Sequence, residues 1–277
     1  MIAVALSSPM LSVLIPVKNE QKDLEECLRS VAWSDDVHVL DSGSTDATIE
    51  IARNFGAKVM QRGADGMFGG DESAHKNWAI RSIAFKHPWV LHIDADERVT
   101  PELANSIRRA IANPGQNVAF RVQRRDFWGS RWLRHIQVTS TYPRLFRPEY
   151  LHYERMINPV SVIGGPSDNL SGYLDHFPFS KGIEHWISRH NDYSTLEAKQ
   201  IIAGERPVTL WGLLSRDRGE RRRNQKAFFY RLPARPLLKF IFLYIAKRGF
   251  LDGSEGFRYA LLQSFYELLI VEKSRSH

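Results

Sequence analysis

The sequence predicts an α/β protein built on a parallel sheet flanked by helices. Over the first hundred or so residues, strand-like apolar runs alternate with segments of helical periodicity. Polar clusters follow three of those runs: "PVKNE", "DSGSTD" and "DADE". In doubly wound sheets the ligand crevice lies beyond the carboxyl ends of the strands, so these clusters are expected to converge on one edge.

The elements follow in order. "LSVLIPV" reads as a first core strand rather than a signal peptide, because no basic stretch precedes it and it runs directly into a polar turn. "KDLEECLRSVA" has helical periodicity and "DVHVLD" is strand-like. "TDATIEIARNFG" is a helix that starts at a Thr/Asp cap and ends at Gly56. "AKVMQR" is a third strand, "ESAHKNWAIRSIAF" a helix and "WVLHID" a fourth strand. "TPELANSIRRAIANPG" is a capped helix closed by Pro114 and Gly115. Beyond it, "VAFRVQRRDFWGSRWLRHIQVTSTYPRLFRP" is rich in arginine and aromatic residues with strand-like alternation, which suits an antiparallel extension lining an acceptor-side pocket. From about residue 181 the chain reads as helical.

At 277 residues and 43% hydrophobic content the chain can bury a substantial core as one main domain with an appendage. The single cysteine, Cys27, excludes an internal disulfide and a cysteine-rich metal site, which fits a reducing cytoplasm. No apolar run reaches the roughly 18–20 residues of a spanning helix; "PLLKFIFLYIA" is too short and carries Lys239. A net charge of +7 favours anionic partners, whether nucleotides, lipid surfaces or nucleic acid, or is a solvated basic surface.

The stretch "HIDADERV" carries the chemistry. Asp94, Asp96 and Glu97 crowd the end of one apolar strand. Like charges that close repel, so either a cation lies between them or they are solvated. A parallel sheet with polar loops at its carboxyl edge and a strand ending in Asp-x-Asp is the pattern of a nucleotide-sugar site, where carboxylates hold a divalent cation that holds the diphosphate. With "SVLIPVKNE", "VLDSGSTDAT", "HKNWAI", "YPRLFR", "YLDHFPFSKGIEHWISRHNDYSTLEA" and "KFIFLYIAKRGFLDGSEGF", the sequence resembles a family 2 glycosyltransferase of the GT-A fold. It is similar to the group that builds lipopolysaccharide cores and other bacterial surface glycans.

The resemblance implies a GT-A, Rossmann-like, mostly parallel sheet flanked by helices, with a helical C-terminal extension. The catalytic domain would span residues 1–180, with a nucleotide-sugar half to about residue 115 and an acceptor half over 116–180; the extension would span 181–277. It implies that Asp41 hydrogen-bonds the nucleobase, the alternative being a turn and cap role, while Asp46 is the helix cap. Pro16, Val17, Asn19 and Glu20 would wall the base and ribose pocket, or form a simple turn. Lys76 and Asn77 would face the donor, with a surface lysine as the alternative. Asp96 would ligate Mg²⁺ or Mn²⁺, Asp94 would meet ribose or the outer shell of the ion, and Glu97 would be solvated or paired with Arg98. His176 would face the metal or diphosphate, or be structural.

Inverting transfer also needs a carboxylate to deprotonate the acceptor hydroxyl. Where relatives show a His-Glu pair, this chain has Asn158 and Pro159, so the candidates are Glu154, or else Asp168 in the following loop. Arg124, Arg125, Arg131 and Arg144 would meet an anionic acceptor or form a solvated strand face.

The implied activity is inverting transfer of a sugar from a nucleotide-diphosphate donor to a lipid-linked saccharide, by a cytoplasmic enzyme peripheral on the inner face of the plasma membrane. The basic residues around "LLKFIFLYIAKR" would attract an anionic membrane surface. The rivals are a catalytically silent nucleotide-sugar binding protein and a nucleic-acid binder. The latter has no recognisable reading motif and does not account for "DADE" or "DSGSTD", so no nucleic-acid partner is expected.

Overall fold

The structure is a computed structural model that describes residues 11–62, 72–137, 139, 141–154, 159–202, 214, 221, 224–225, 228–230 and 232–275. The chain forms two compact units: residues 1–129 with 139–180, and residues 130–138 with 181–277.

The first unit is built on strands β1 (Leu11–Val17), β2 (Val37–Asp41), β3 (Lys58–Gln61), β4 (Trp89–His92), β5 (Glu97–Val99) and β6 (Ala119–Trp128). A short β7 (Arg131–Trp132) falls in the second unit, after which the first resumes with β8 (Tyr142–Phe146), β9 (Leu151–Glu154), β10 (Val160–Ile163) and β11 (Ser167–His176). Its helices are α1 (Leu24–Ser30), α2 (Thr48–Asn54), α3 (Glu72–Ser82) and α4 (Pro101–Ala112). The sheet runs β3-β2-β1-β4-β8-β6-β11-β5, and β9 pairs with β10 in a separate ribbon.

β1 to β4 are mutually parallel, as the alternation of strand and helix predicts. β1 is buried along its whole length, with Leu11, Val13, Ile15 and Val17 in one core cluster and Leu14 in the other. That is the period-2 pattern of a strand covered on both faces. β8 is antiparallel to both β4 and β6, so the arginine-rich segment does run back along the sheet. It does so inside the main sheet rather than as an appended layer, and β6 pairs with β11 in parallel. β11 is bulged between Asn169 and Tyr173, and there Gly172 has a φ of 91°. A Cβ at Gly172 would stand 2.4 Å from the backbone nitrogen of Leu103 in α4, so only glycine lets strand and helix approach this closely. α4 starts as predicted, with Thr100 Oγ1 accepting from Leu103 N and Pro101 in the first turn.

The second unit is helical: α5 (Ile183–Ile202), α6 (Arg235–Ile241) and α7 (Gly253–Arg275). Arg235 and Glu267 form a buried ion pair between α6 and α7, and Lys273 on α7 donates to Asn191, Ser194 and Thr195 of α5. Asp252 accepts from the backbone of His135 and Ile136, which anchors the 130–138 excursion to this unit. A π-helical turn, Phe242–Ala246, follows α6. The "LLKFIFLYIA" segment buries Leu243 but leaves Leu237, Ile241, Phe242 and Ile245 exposed, with Ile245 59% accessible. Among the described residues no helix is long and apolar enough to cross a membrane. Of the basic flank, Arg221, Lys247 and Arg248 are described, while Arg216, Arg218, Arg222, Arg223 and Lys226 lie outside the described residues.

Candidate active site

The acidic bend leaves β4 at the carboxyl edge of the sheet, where its backbone is held at every step. Asp94 O accepts from Glu97 N at 2.9 Å, and Asp96 O accepts from Phe177 N at 2.9 Å. The Arg98 guanidinium donates to Ala95 O and Glu97 O and reaches the buried Asp23 carboxylate at 3.2 Å. A bend this well fixed presents its side chains in one arrangement.

The positive charge among the acids is Arg144 of β8. Its Nη2 lies 2.9 Å from Asp94 Oδ2 and 2.7 Å from Glu97 Oε1. Glu97 is fully buried, and its other oxygen accepts from Asp94 N at 2.9 Å. This corrects the expectation of a solvated Glu97 or a Glu97–Arg98 pair: the antiparallel β4–β8 pairing brings in an arginine from 47 residues away. Burial, with Asp94 close by, keeps the Glu97 carboxyl above its usual range despite Arg144. Burial also opposes ionisation of Asp94, but Arg144 and Lys76 outweigh it and hold that carboxyl well below its usual range.

Asp96 meets His176 at the end of β11: Asp96 Oδ2 stands 3.3 Å from His176 Nε2, with 18% and 13% of the two side chains exposed. The other ring nitrogen, Nδ1, is 2.5 Å from Asp126 Oδ1 on β6. Burial and Arg124 push the His176 imidazole down, but Asp96 and Asp126 overcome both and hold it up at about 9. Among the described residues no group of three His, Cys, Asp or Glu side chains is arranged to hold a metal. An oxygen and an imidazole nitrogen on one open edge nevertheless fit a small divalent cation that takes one or two protein ligands and completes its shell with phosphate oxygens and water.

On the Asp94 side, where His92 Nε2 is 3.9 Å from Asp94 Oδ1, His92 Nδ1 lies 2.7 Å from the Tyr153 hydroxyl, and Lys76 Nζ stands 5.4 Å from the Tyr153 ring. Burial keeps the His92 imidazole well below its ordinary range, with Lys76 and Arg144 adding to the effect, so it is neutral. Asn77 does not face a donor as expected. Its Nδ2 donates to Tyr153 O and its Oδ1 accepts from Tyr153 N, both at 2.7 Å, so the amide is spent clamping β9 to α3.

The loops after β1 and β2 are stitched together. Asn19, at φ 54°, accepts from Thr45 N at 2.8 Å and donates its own N–H to Ser44 Oγ, while Glu20 N donates to Thr48 Oγ1. Pro16 and Val17 lie inside β1 with buried side chains, so they are the foundation of this loop rather than a pocket wall. Asp41 is fully buried at the end of β2; it accepts from Gly43 N and Ser44 N at 3.1 Å and from Gln61 Nε2 at 3.3 Å. These are the contacts of the turn role. Asp46 accepts from Thr48 N and Thr48 Oγ1 just before α2, but the N-cap position is Ala47, so Asp46 closes an Asx turn one residue ahead of the helix cap it was expected to be.

Register separates the two candidate bases. Asp168 pairs with Phe120, and His176 pairs with Asp126. Six residue steps along β6, about 20 Å of strand, therefore separate Asp168 from His176. Asp168 is exposed, accepts from its neighbour Asn169 N, and is corrected as a catalytic candidate on that distance. Glu154 follows Tyr153 on β9; the strand's alternation turns it outward, where it is 62% exposed and 3.2 Å from His152 Nε2. His152 in turn lines an open cleft of about 500 Å³ with Asn77, Arg81, Glu149, Tyr150 and Val162.

The strand arginines are not a free acceptor surface. Arg125 makes a two-point contact with Asp175 at 2.6 and 2.8 Å, Arg124 lies 3.1 Å from Asp126, and Arg144 is committed to the acidic bend. Arg131, in the second unit, is 3.9 Å from Glu255 and largely exposed. Sequence reasoning missed Asp126 and the counter-ion role of Arg144. The one available signal for Asp126 was its standing as the sole acid in "RVQRRDFW", two residues from Arg124 and so on the same strand face.

Fold and site define the class: a mostly parallel α/β protein with carboxylates and an imidazole gathered at the carboxyl edge of its sheet, the edge beyond which doubly wound sheets bind their ligands. The chain belongs to glycosyl transferase family 2, whose family model matches residues 12–167, and it is a transferase with the GT-A type of sheet. It is 26% identical to the lipopolysaccharide core biosynthesis glycosyltransferase LpsC of Rhizobium meliloti (strain 1021), over 95% of this chain and 91% of the relative. An uncharacterized glycosyltransferase of Rickettsia typhi is 25% identical over 96% of this chain and 86% of its own. Among solved structures, glucosyl-3-phosphoglycerate synthase from Mycobacterium tuberculosis in complex with phosphoglyceric acid is 18% identical. That match covers 61% of this chain and 72% of the synthase chain, with a TM-score of 0.45.

Proposed function

We propose that the protein is an inverting glycosyltransferase that moves a sugar from a nucleotide-diphosphate donor to a lipid-linked saccharide during assembly of a bacterial, lipopolysaccharide-type surface glycan. The observation that carries this reading is the Asp96–His176 pair beside Asp94 on an edge whose loops are stitched together. The likeness to LpsC over most of both chains supports the choice of acceptor class.

In this reading Asp96 Oδ2 and His176 Nε2 hold Mg²⁺ or Mn²⁺, and Lys76 adds positive charge for the diphosphate. A divalent cation, when bound, neutralises charge on the departing diphosphate. Asp41 sets the Gly43–Ser44 turn that borders the nucleoside, and Asn19 ties that turn to the loop after β1. Asp94, kept ionised by Arg144, receives ribose or sugar hydroxyls. The acceptor enters by the cleft that His152 lines, and Glu154 takes the proton from its hydroxyl as the sugar carbon is attacked from the face opposite the diphosphate. Glu154→Gln is expected to lower turnover roughly 100-fold or more with little change in donor KM, because only proton removal in the transition state is lost. Ordinary turnover in that variant would remove Glu154 from the mechanism.

The enzyme works at the inner face of the plasma membrane, where exposed Leu237, Phe242 and Ile245 with Lys247 and Arg248 give the second unit an apolar surface edged by positive charge. Full-length protein should float with anionic but not neutral liposomes and be released by high salt; flotation with neither lipid would end the membrane reading.

The deciding experiment is incubation with a panel of nucleotide sugars, with and without Mn²⁺ or Mg²⁺, reading release of nucleoside diphosphate. Release that needs metal and an added saccharide acceptor is expected. Binding of a donor without any release would instead support the silent binding protein, the rival favoured by the outward-facing Glu154.

A further inference from the structure

We propose that Asp126 is a positioning residue that holds the His176 ring with Nε2 facing Asp96 and so completes the cation site. The inference rests on the metal reading above but concerns a residue that neither the acidic motif nor the late histidine identifies.

The strand register makes the contact. On the parallel β6–β11 pair, Asp126 stands opposite His176 and Arg125 opposite Asp175. Successive side chains alternate between faces, so the two pairs lie on opposite sides of the sheet. Arg125 and Asp175 close a salt bridge on one side, and Asp126 and His176 meet on the other.

Asp126 is 1% exposed, and its second oxygen, Oδ2, accepts from Thr139 Oγ1 at 2.5 Å, while Arg124 Nε lies 3.1 Å from Oδ1. The carboxylate is thus locked, and an ionised carboxylate only accepts. Nδ1 keeps its proton on this carboxylate, so Nε2, 3.3 Å from Asp96 Oδ2, is the nitrogen that gives up its proton to an incoming cation. A ligating histidine whose other nitrogen donates to a carboxylate is fixed in tautomer and orientation, and loss of such a partner typically weakens metal binding by about 10–100-fold. An asparagine at position 126 would keep the shape. Its amide N–H, turned to Nδ1, would favour the opposite tautomer and put a proton between Nε2 and the cation.

The test is Mn²⁺ binding by the full chain without substrate, read by paramagnetic broadening of the His176 ring signal, which is assigned by its loss in His176→Gln. Wild type, Asp96→Asn, Asp126→Asn and Thr139→Val are titrated, with thermal midpoints recorded for each. Asp126→Asn should weaken Mn²⁺ binding by about 10-fold or more. Thr139→Val removes a bond to the same carboxylate but leaves the Nδ1 contact, so it should bind within twofold of wild type even if its midpoint falls as far. Equal affinity of Asp126→Asn and wild type, or an equal loss in Thr139→Val, would overturn the positioning role while leaving the metal site standing. If wild type shows no broadening, or Asp96→Asn matches it, the metal reading itself fails and the role of Asp126 with it.

Discussion

Asp96→Asn should reduce turnover by about a thousand-fold while leaving the thermal midpoint close to that of the wild type. An amide of nearly the same volume cannot balance a divalent ion, and loss of a preorganised charge at the leaving group removes stabilisation that matters most in the transition state. The fold should survive because the backbone bonds holding the bend, from Phe177 N to Asp96 O and from Glu97 N to Asp94 O, do not involve the Asp96 side chain. The side chain is also partly exposed, so the substitution buries no new polar group. Steady-state assays with increasing Mn²⁺ decide the matter. Wild-type turnover with unchanged metal dependence would take Asp96 out of the site.

A comparable effect, on stability rather than rate, is expected at Arg144. Arg144→Met should destabilise the protein by about 3–5 kcal/mol, the usual cost of removing one partner from a buried ion pair. Glu97 is fully buried and would keep a charge with no hydrogen-bonding counter-ion, since Arg124 is 3.9 Å away. Adding Glu97→Gln to Arg144→Met should recover part of the loss, because a neutral amide needs no counter-charge. Urea unfolding of the single and double variants measures both. A single-variant loss of under about 1 kcal/mol would mean that Glu97 is neutral in the folded protein and that Arg144 serves Asp94 alone.

The crowding of Asp94, Asp96 and Glu97 was visible in the sequence as a problem in electrostatics, and both general answers offered there, a cation or solvent, were reasonable. The structure supplies a third arrangement. One protein cation, Arg144, bridges Asp94 and Glu97, with Lys76 adding positive charge near Asp94, and Asp96 is left to pair with His176. Metal chemistry, where it operates, then belongs to Asp96 and His176 rather than to the acidic cluster as a whole. The arginines that read as an acceptor surface are largely the internal counter-ions of that same edge.

Local pattern by itself determined the strands β1 to β4, the helices between them, the Thr100 cap of α4, the Asp46 turn just before α2, and the edge at which polar loops gather. Those features depend on neighbours two, three or four residues apart, and that information is contiguous in the chain. The tertiary structure alone decided which charges meet. Arg144 reaches Asp94 because β8 lies antiparallel beside β4, and Asp126 reaches His176 because β6 and β11 pair in parallel beyond the bulge. Asp168 lies on the other side of that bulge, opposite Phe120 and some 20 Å along the strand from His176. Strand order and register follow from the packing of both core faces over the whole sheet, a long-range balance to which no single segment's periodicity holds the key.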